Sequence, residues 1–342
     1  MIFYIFLIFS IFLVGGILFL IFYGVYAIMQ EYRADRVPAL LYHRFLSKEK
    51  VEKGEIIDHD RTYTCYDTAF AEQMAYLHGA GYTSISLDDF VAFLDGKQSL
   101  PPKPILITCD DGFMSNYLHA FPILKKYQMK ATIFVTPDPA SENFKKYASL
   151  DVPLTHEQLR EMTNSGVSIE SHGMTHRYLT ELEPEVVRWE LQESKRVLAT
   201  ITQKPVHFLA IPSGAYNKTV KNLAKEADYK AVFCMLKGSN NARSDRFALR
   251  RVVIARDFTL EDFQKVLEPA TACHLRLTSF VQNLLLRLLG PQGLDALRDR
   301  LYRTRLASLL ISGQLKSFGG GLAVVMGVML SLIGAILLGW LL

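Results

Sequence analysis

The middle of the chain switches repeatedly between two periods, and that alternation narrows its fold more than any other feature. Short apolar or β-branched runs ("PALLYH", "TSIS", "ILIT", "ATIFVT", "VSIES", "HFLAIP", "AVFCML" and "VVIA") read as strands. Between them, "TAFAEQMAYLHGAG", "YLHAFPILKKYQ", "THEQLREMTNSG", "EVVRWELQESKRVLATI" and "KTVKNLAKEAD" carry apolar residues at helical spacing. Strands separated by helical crossovers pair in parallel rather than through tight hairpins. The pattern therefore predicts an α/β fold with a largely parallel sheet, either doubly wound or closed into a barrel. In both, chemistry sits at the C-terminal ends of the strands.

The two ends of the 342-residue chain obey a different rule. No charged residue occurs from Ile2 to Met29, or from Ser317 to Leu342. Each run exceeds the roughly 20 residues that a helix needs to cross a bilayer. The first lacks a basic n-region and is too long for a cleaved signal, so an uncleaved anchor is expected. The predicted organisation is an anchor over 1–30, a polar domain over 36–270, an amphipathic juxtamembrane segment over 271–316 and a second anchor over 317–342. An integral membrane protein, in contact with lipid, follows. Arg33, Arg36, Arg298, Arg300, Arg303, Arg305 and Lys316 flank the anchors on the domain side. Taken alone they favour a cytoplasmic domain, a rule that weakens for long loops. The Arg-rich segment 271–316 fits either the membrane interface or the surface of the domain.

A net charge of +4 without a block of like charge gives no sign of a nucleic-acid partner. Cys65, Cys109, Cys234 and Cys273 have neither framework nor CxxC spacing, so no disulfide scaffold or zinc knuckle is expected.

Asp110 and Asp111 stand side by side in "ILITCDDGF", where an apolar strand runs out. The chain supplies a control. Asp88 and Asp89 in "SLDDFVAFL" precede a helical pattern, where acids accept from orphan N–H groups. The pair that ends the strand-like run Ile105 to Thr108 has no helix start to serve. A second polar cluster ends another strand, "VSIESHGMTHRYL", with His172 and His176 four apart. One carboxylate and two imidazoles with an open position make a catalytic zinc-type ligand set. A bound cation would also cancel the repulsion between the two acids. The second acid then remains ionised and free to take a proton from an attacking water.

"TCDDG", "SHGMTH" and "AIPSGAYN", in that order and with "FPILKKYQMKATIFV" after the first, resemble the motifs of the NodB-homology polysaccharide deacetylases, carbohydrate esterase family 4. The resemblance spans roughly Val37 to Val266, and "PALLYHRF" is similar to the branch acting on poly-N-acetylglucosamine of biofilm matrix. It implies a distorted (β/α) barrel and hydrolysis of N-acetyl groups from an amino-sugar polysaccharide. It also implies an extracytoplasmic domain, with an exopolysaccharide synthase or export complex as partner. Asp110 would be the general base and His43 the general acid. Asp111, His172 and His176 would hold a divalent metal, zinc foremost, with cobalt or nickel as alternatives. Pro212, Ser213, Gly214 and Tyr216 would line the substrate groove. Where many members carry an arginine that orients the base, this chain has Ala210, and Arg250 or Arg251 in "ALRRVVI" is the expected replacement. Cys109 stands for the usual middle residue of the first motif, and Ser213 for a common tyrosine. The Asp-Trp and late Leu-x-His motifs are missing, which puts weight on His43. Two other readings compete: the same chemistry on a lipid-linked sugar, and an inactive glycan-binding subunit of an export system. The sequon at Asn217 falls inside the third motif and reads as incidental.

Overall fold

The computed structural model describes residues 2–58, 60 and 62–280. The expected anchor over 317–342 and most of the 271–316 segment lie outside these residues. The chain divides into two units, Met29–Ala272 and a second made of Met1–Ile28 with Cys273–Leu342. In the second, helix α1 (Ile2–Glu31) enters from the N-terminus, and its stretch Val14–Glu31 is long and apolar enough to cross a membrane.

The Met29–Ala272 unit is built on strands β1 (Ala39–Tyr42), β2 (Arg44–Leu46), β3 (Thr64–Tyr66), β4 (Thr83–Ser84), β5 (Pro104–Cys109), β6 (Thr132–Val135), β7 (Ser168–Ser171), β8 (Phe208–Ala210), β9 (Ala231–Phe233) and β10 (Val252–Val253). The main sheet runs β10-β1-β5-β6-β7-β8-β9, with β4 on the flank of β5, and every strand pair in it is parallel. The segment after β9 reaches both ends of this sheet. Leu249 bridges to Phe233, and Val252–Val253 pair with Leu40–Leu41. The sheet is thus curled round on itself, a distorted (β/α) half-barrel of the kind expected. The strands β2 and β3, which the sequence pattern does not reveal, form a separate pair.

Between strands run α2 (Lys48–Glu52), α3 (Asp67–Gly79), α4 (Leu87–Leu94), α5 (Phe121–Lys126), α6 (Glu142–Tyr147), α7 (His156–Asn164), α8 (Pro184–Thr202), α9 (Lys218–Glu226) and α10 (Leu260–Leu267). Their starts are written locally. Ser86 with Asp89, Thr155 with Gln158, and Thr259 with Asp262 form capping boxes, so the acid pair at 88–89 does open a helix. Asn217 caps α9 by accepting from Val220 N–H at 2.9 Å, which gives the sequon asparagine a structural duty. The inside of the curl is filled by alternate strand residues, among them Ala39, Leu106, Phe134, Phe208 and Phe233, closed by Leu87, Phe90 and Val91 of α4. With that interior packed, the C-terminal strand ends are the place where polar groups can gather.

Candidate active site

Asp110 directly follows β5, and its N–H donates to Tyr42 O at 2.9 Å, extending the ladder with β1 by one residue. The chain then turns sharply. Asp111 and Gly112 have φ of +75° and +87°, the left-handed region. A Cβ on Gly112 would meet Val135 Cγ1 at 2.9 Å, so glycine is required there twice over. This turn defeats the alternation of strand side chains and brings both acids into one cavity. The cavity has a volume of about 700 Å³ and is open at the C-terminal ends of the strands.

His172 follows β7 in the same manner, its N–H donating to Val135 O at 3.0 Å. Its Nδ1 lies 2.8 Å from Ala210 O. A carbonyl can only accept, so Nδ1 carries the proton and Nε2 keeps its lone pair, which faces the acids. Asp111 Oδ1 lies 3.5 Å from His172 Nε2 and 3.1 Å from His176 Nε2. The ligand atoms of Asp111, His172 and His176 all fall within 4.8 Å of one another. Asp111 Oδ1 is buried and engaged by no aligned hydrogen bond among the described residues. Burial lowers His172 to about 4, so its imidazole is neutral at pH 7. Burial pushes Asp111 up, but His176, with His43 and His172 adding to it, together leave Asp111 well below the usual carboxylate range. His176, with φ of +62°, is raised: burial works against its charge, and Asp111 more than restores it. A buried carboxylate oxygen with no aligned hydrogen bond among the described residues, beside two imidazole nitrogens turned inwards, fits a divalent cation.

Asp110 takes no part in that cluster beyond a 3.9 Å approach to His172 Nε2. It faces Arg251 instead, with Oδ1 2.6 Å from Nη1 and Oδ2 2.7 Å from Nη2. Both side chains are almost wholly buried, at 3% and 1% exposure. Burial would raise Asp110, but the Arg251 guanidinium, with His172 and His43 adding to it, together hold it below the ordinary carboxylate value. Arg251 is set in place by its position between the two closures of the curl: its N–H donates to Leu236 O at 2.9 Å just before β10. Of the two candidate arginines, Arg250 points elsewhere, donating to Lys237 O at 2.9 Å. Ala210, at the arginine position of other members, is fully buried and contributes only its carbonyl to His172.

His43 lies between β1 and β2 and lines the same cavity. Its Nδ1 is buried with no hydrogen-bond partner among the described residues, and its ring packs on Tyr63 at 4.7 Å between centroids. Burial lowers its pKa against the pull of Asp111 and Asp110. From the third motif the cavity wall takes Ser213 and Gly214 but neither Pro212 nor Tyr216. Ser213 has φ of +58°, and a Cβ on Gly214 would strike Met235 Cγ at 1.9 Å, so this loop packs tightly on Met235, which also lines the cavity. Cys109 is fully buried, its thiol pushed far up by burial, and behaves as the small core residue expected.

Sequence reading missed the flank beside His43. Arg44 is 1% exposed, lies over the Tyr147 ring at 3.8 Å, and sits 3.4 Å from Asp58 Oδ2 and 3.6 Å from Asp60 Oδ2. Arg256 Nη2 donates to Asp58 O at 2.9 Å, and the Tyr147 hydroxyl donates to Asp60 Oδ2 at 2.7 Å. Together they fasten the loop that carries Tyr63. Arg44 could have been suspected as the neighbour of His43; nothing in the sequence ties Asp58 to Arg256.

Comparison with known proteins places this geometry. Residues 97–232 match the family described as polysaccharide deacetylase. YxkH of Bacillus subtilis (strain 168), which carries that family's name, is 30% identical over 64% of this chain and 72% of its own length. The poly-beta-1,6-N-acetyl-D-glucosamine N-deacetylase of Staphylococcus epidermidis is 25% identical, over 66% of this chain and 82% of its own. The solved Streptococcus pyogenes deacetylase PplD, in complex with acetate, superposes with a TM-score of 0.60 at 26% identity, covering 69% of this chain and all of its own. The chain belongs to the polysaccharide deacetylase family, hydrolases that act on the amide bonds of N-acetylated sugars.

Proposed function

We propose that the protein is a membrane-anchored, divalent-metal-dependent N-deacetylase of an amino-sugar polysaccharide of the poly-N-acetylglucosamine type. The observation that carries the reading is Asp110, clamped by Arg251 beside the converging donors of Asp111, His172 and His176. The activity that names the Staphylococcus epidermidis relative supports the substrate class. The apolar stretch Val14–Glu31 supports the anchor, and the habit of the family favours an extracytoplasmic domain.

Asp111, His172 and His176 would hold the cation, zinc by its preference for nitrogen and oxygen donors with an open position. When bound, it supplies Lewis-acid polarisation of the acetyl carbonyl and eases the ionisation of water. The proton traffic belongs to the chain. Asp110, ionised and oriented by Arg251, takes a proton from the water whose oxygen attacks the acetyl carbon. His43 in its imidazolium form, which the nearby Asp111 and Asp110 favour against burial, gives a proton to the sugar nitrogen as the C–N bond breaks. The proton held by Asp110 then returns to the imidazole, so acetate leaves, a free amine remains and both groups are reset. The Arg251 fork holds Asp110 in one orientation while remaining charged itself. Ser213 and Gly214 offer backbone to the sugar. Tyr63 brackets His43 and gives the ring opposite it an apolar face to rest on.

Acetate release from β-1,6-linked N-acetylglucosamine oligomers by the full chain in detergent tests the reading, with zinc, cobalt or nickel added. Release that needs metal and is lost in Asp110→Asn and His172→Ala is the expected result. Release that survives chelation, or persists in Asp110→Asn, overturns the mechanism. Stoichiometric metal uptake without release from any oligomer overturns the substrate class.

A further inference from the structure

We infer that Glu190, on α8, is a positioning residue for the metal-ligand set: it fixes the 173–177 loop that carries His176. The inference rests on the metal-dependent reading above. Glu190 is wholly buried, yet it makes no contact with the cavity. Its Oε2 accepts from Met174 N–H at 2.7 Å and Thr175 N–H at 2.9 Å. Its Oε1 accepts from the Thr175 hydroxyl and from Arg177, whose Nε and Nη2 lie at 3.2 and 3.1 Å. One carboxylate thus gathers donors from Met174, Thr175 and Arg177, three of the four positions 174–177, on both sides of His176.

The arrangement has a chemical reason. The chain leaves β7 at Ser171, and to present both imidazoles to one point it must turn within four residues, with His176 in the left-handed region. Such a turn makes no ladder or helix bonds, so its N–H groups need a buried acceptor. A carboxylate is acceptor-only and takes several donors at once, whereas an amide brings N–H groups of its own. One turn further along α8, Ser194 is also fully buried; its hydroxyl meets Ser171 Oγ at 2.7 Å, and Ser171 Oγ accepts from Gly173 N–H at 3.2 Å. The α8 face formed by Glu190 and Ser194 therefore holds both ends of the ligand loop. Groups that orient metal ligands in this way typically govern affinity by about 10- to 100-fold.

The test is Co²⁺ titration of the full chain in detergent, read by visible absorption and by competition with a chelator, beside thermal unfolding of the metal-free protein. Glu190→Gln should bind Co²⁺ about 10- to 100-fold more weakly, with altered absorption bands. Val187→Ala, a buried apolar truncation on the same helix, should lose stability but keep wild-type affinity and spectrum. Thr175→Ala removes a single donor and should weaken binding in the same direction; it carries the test where Glu190→Gln fails to fold. Wild-type affinity and spectrum in Glu190→Gln, or in Thr175→Ala where that variant stands in, overturn the inference and leave the metal-dependent reading intact. An equal loss of affinity in Val187→Ala overturns it as well, since general destabilisation would then account for the effect. Wild-type protein that takes up no Co²⁺ sinks both.

Discussion

Replacing Arg251 isolates the contact on which the candidate base depends. Two charge-assisted hydrogen bonds, at 2.6 and 2.7 Å, join it to Asp110 with both groups nearly dry. Arg251→Lys keeps the charge but can fill only one of the two positions. A hydrogen bond to a charged group is worth about 1.5–3 kcal/mol, which at about 1.4 kcal/mol per tenfold predicts a fall in kcat of roughly 10- to 150-fold. Arg251→Ala leaves a carboxylate buried at 3% exposure with no counter-charge of its own. Breaking a buried pair in this way costs about 3–5 kcal/mol of stability. Because the base loses its orientation, kcat should fall by about 10²- to 10⁴-fold. Acetate release under saturating oligomer, with urea unfolding of the same preparations, separates the two effects. KM should stay near wild type, since Arg251 holds the base rather than the sugar. Arg251→Ala with kcat within threefold of wild type would falsify the assignment of Asp110 as an arginine-oriented base. Equal losses in the Lys and Ala variants would show that charge matters little and that only the fork geometry counts.

His43→Ala should lower kcat by about 10²- to 10⁴-fold, with Co²⁺ affinity unchanged by titration; weakened metal binding would instead make His43 part of the ligand set. A fragment beginning at Arg36 should be less stable than one beginning at Met29 by about 1.5–3 kcal/mol in urea. It lacks Glu31, whose fully buried carboxylate accepts from Ser239 N–H at 3.1 Å and Arg36 Nε at 3.1 Å; equal midpoints would show that the end of α1 contributes nothing to the domain. Asp89 is lowered to about 2, first by the Ser86 hydroxyl, with burial opposing and Lys130 adding to the effect. A depressed carboxylate gives stability above its unfolded value near 4 that is lost as pH falls through 2. Asp89→Asn should therefore cost under about 1 kcal/mol at pH 7, since the site is part exposed, and the gap to wild type should close between pH 4 and pH 2; a gap independent of pH would mean that capping geometry alone matters.

The local grammar of this chain was readable. Strand and helix runs follow from periods of two and 3.6, and capping residues name the helix starts. Asp110, Asp111, His172 and His176 were legible because each lies within a residue or a tight turn of a strand end, where short-range rules still apply. Cys109 as a core residue and the acid pair at 88–89 as a helix start were equally local matters. The N-terminal unit boundary was less so: the compact domain begins at Met29, before Arg36, because Glu31 and Gln30 bond to residues of the 239–241 segment.

The encounters between distant residues had to wait for the tertiary structure, although the family resemblance already named His43 and the pair Arg250 and Arg251. Arg251 meets Asp110 across 141 positions of sequence, and His43 and Arg251 both lie outside the segment 97–232 that matches the family. Neither pairing has a local signal. They arise because a curled parallel sheet sets β10, β1 and β5 side by side, so that residues distant in the chain leave neighbouring strands at one rim. The choice of Arg251 over Arg250 is a matter of which side of the chain faces inwards at the closure. Glu190 reaches the His176 loop only because α8 packs beneath β7. Sequence by itself determined which groups could do chemistry and at which strand ends they stand. Closure of the sheet decided which of them meet, because side-chain encounters across a barrel rim depend on strand order and not on separation along the chain.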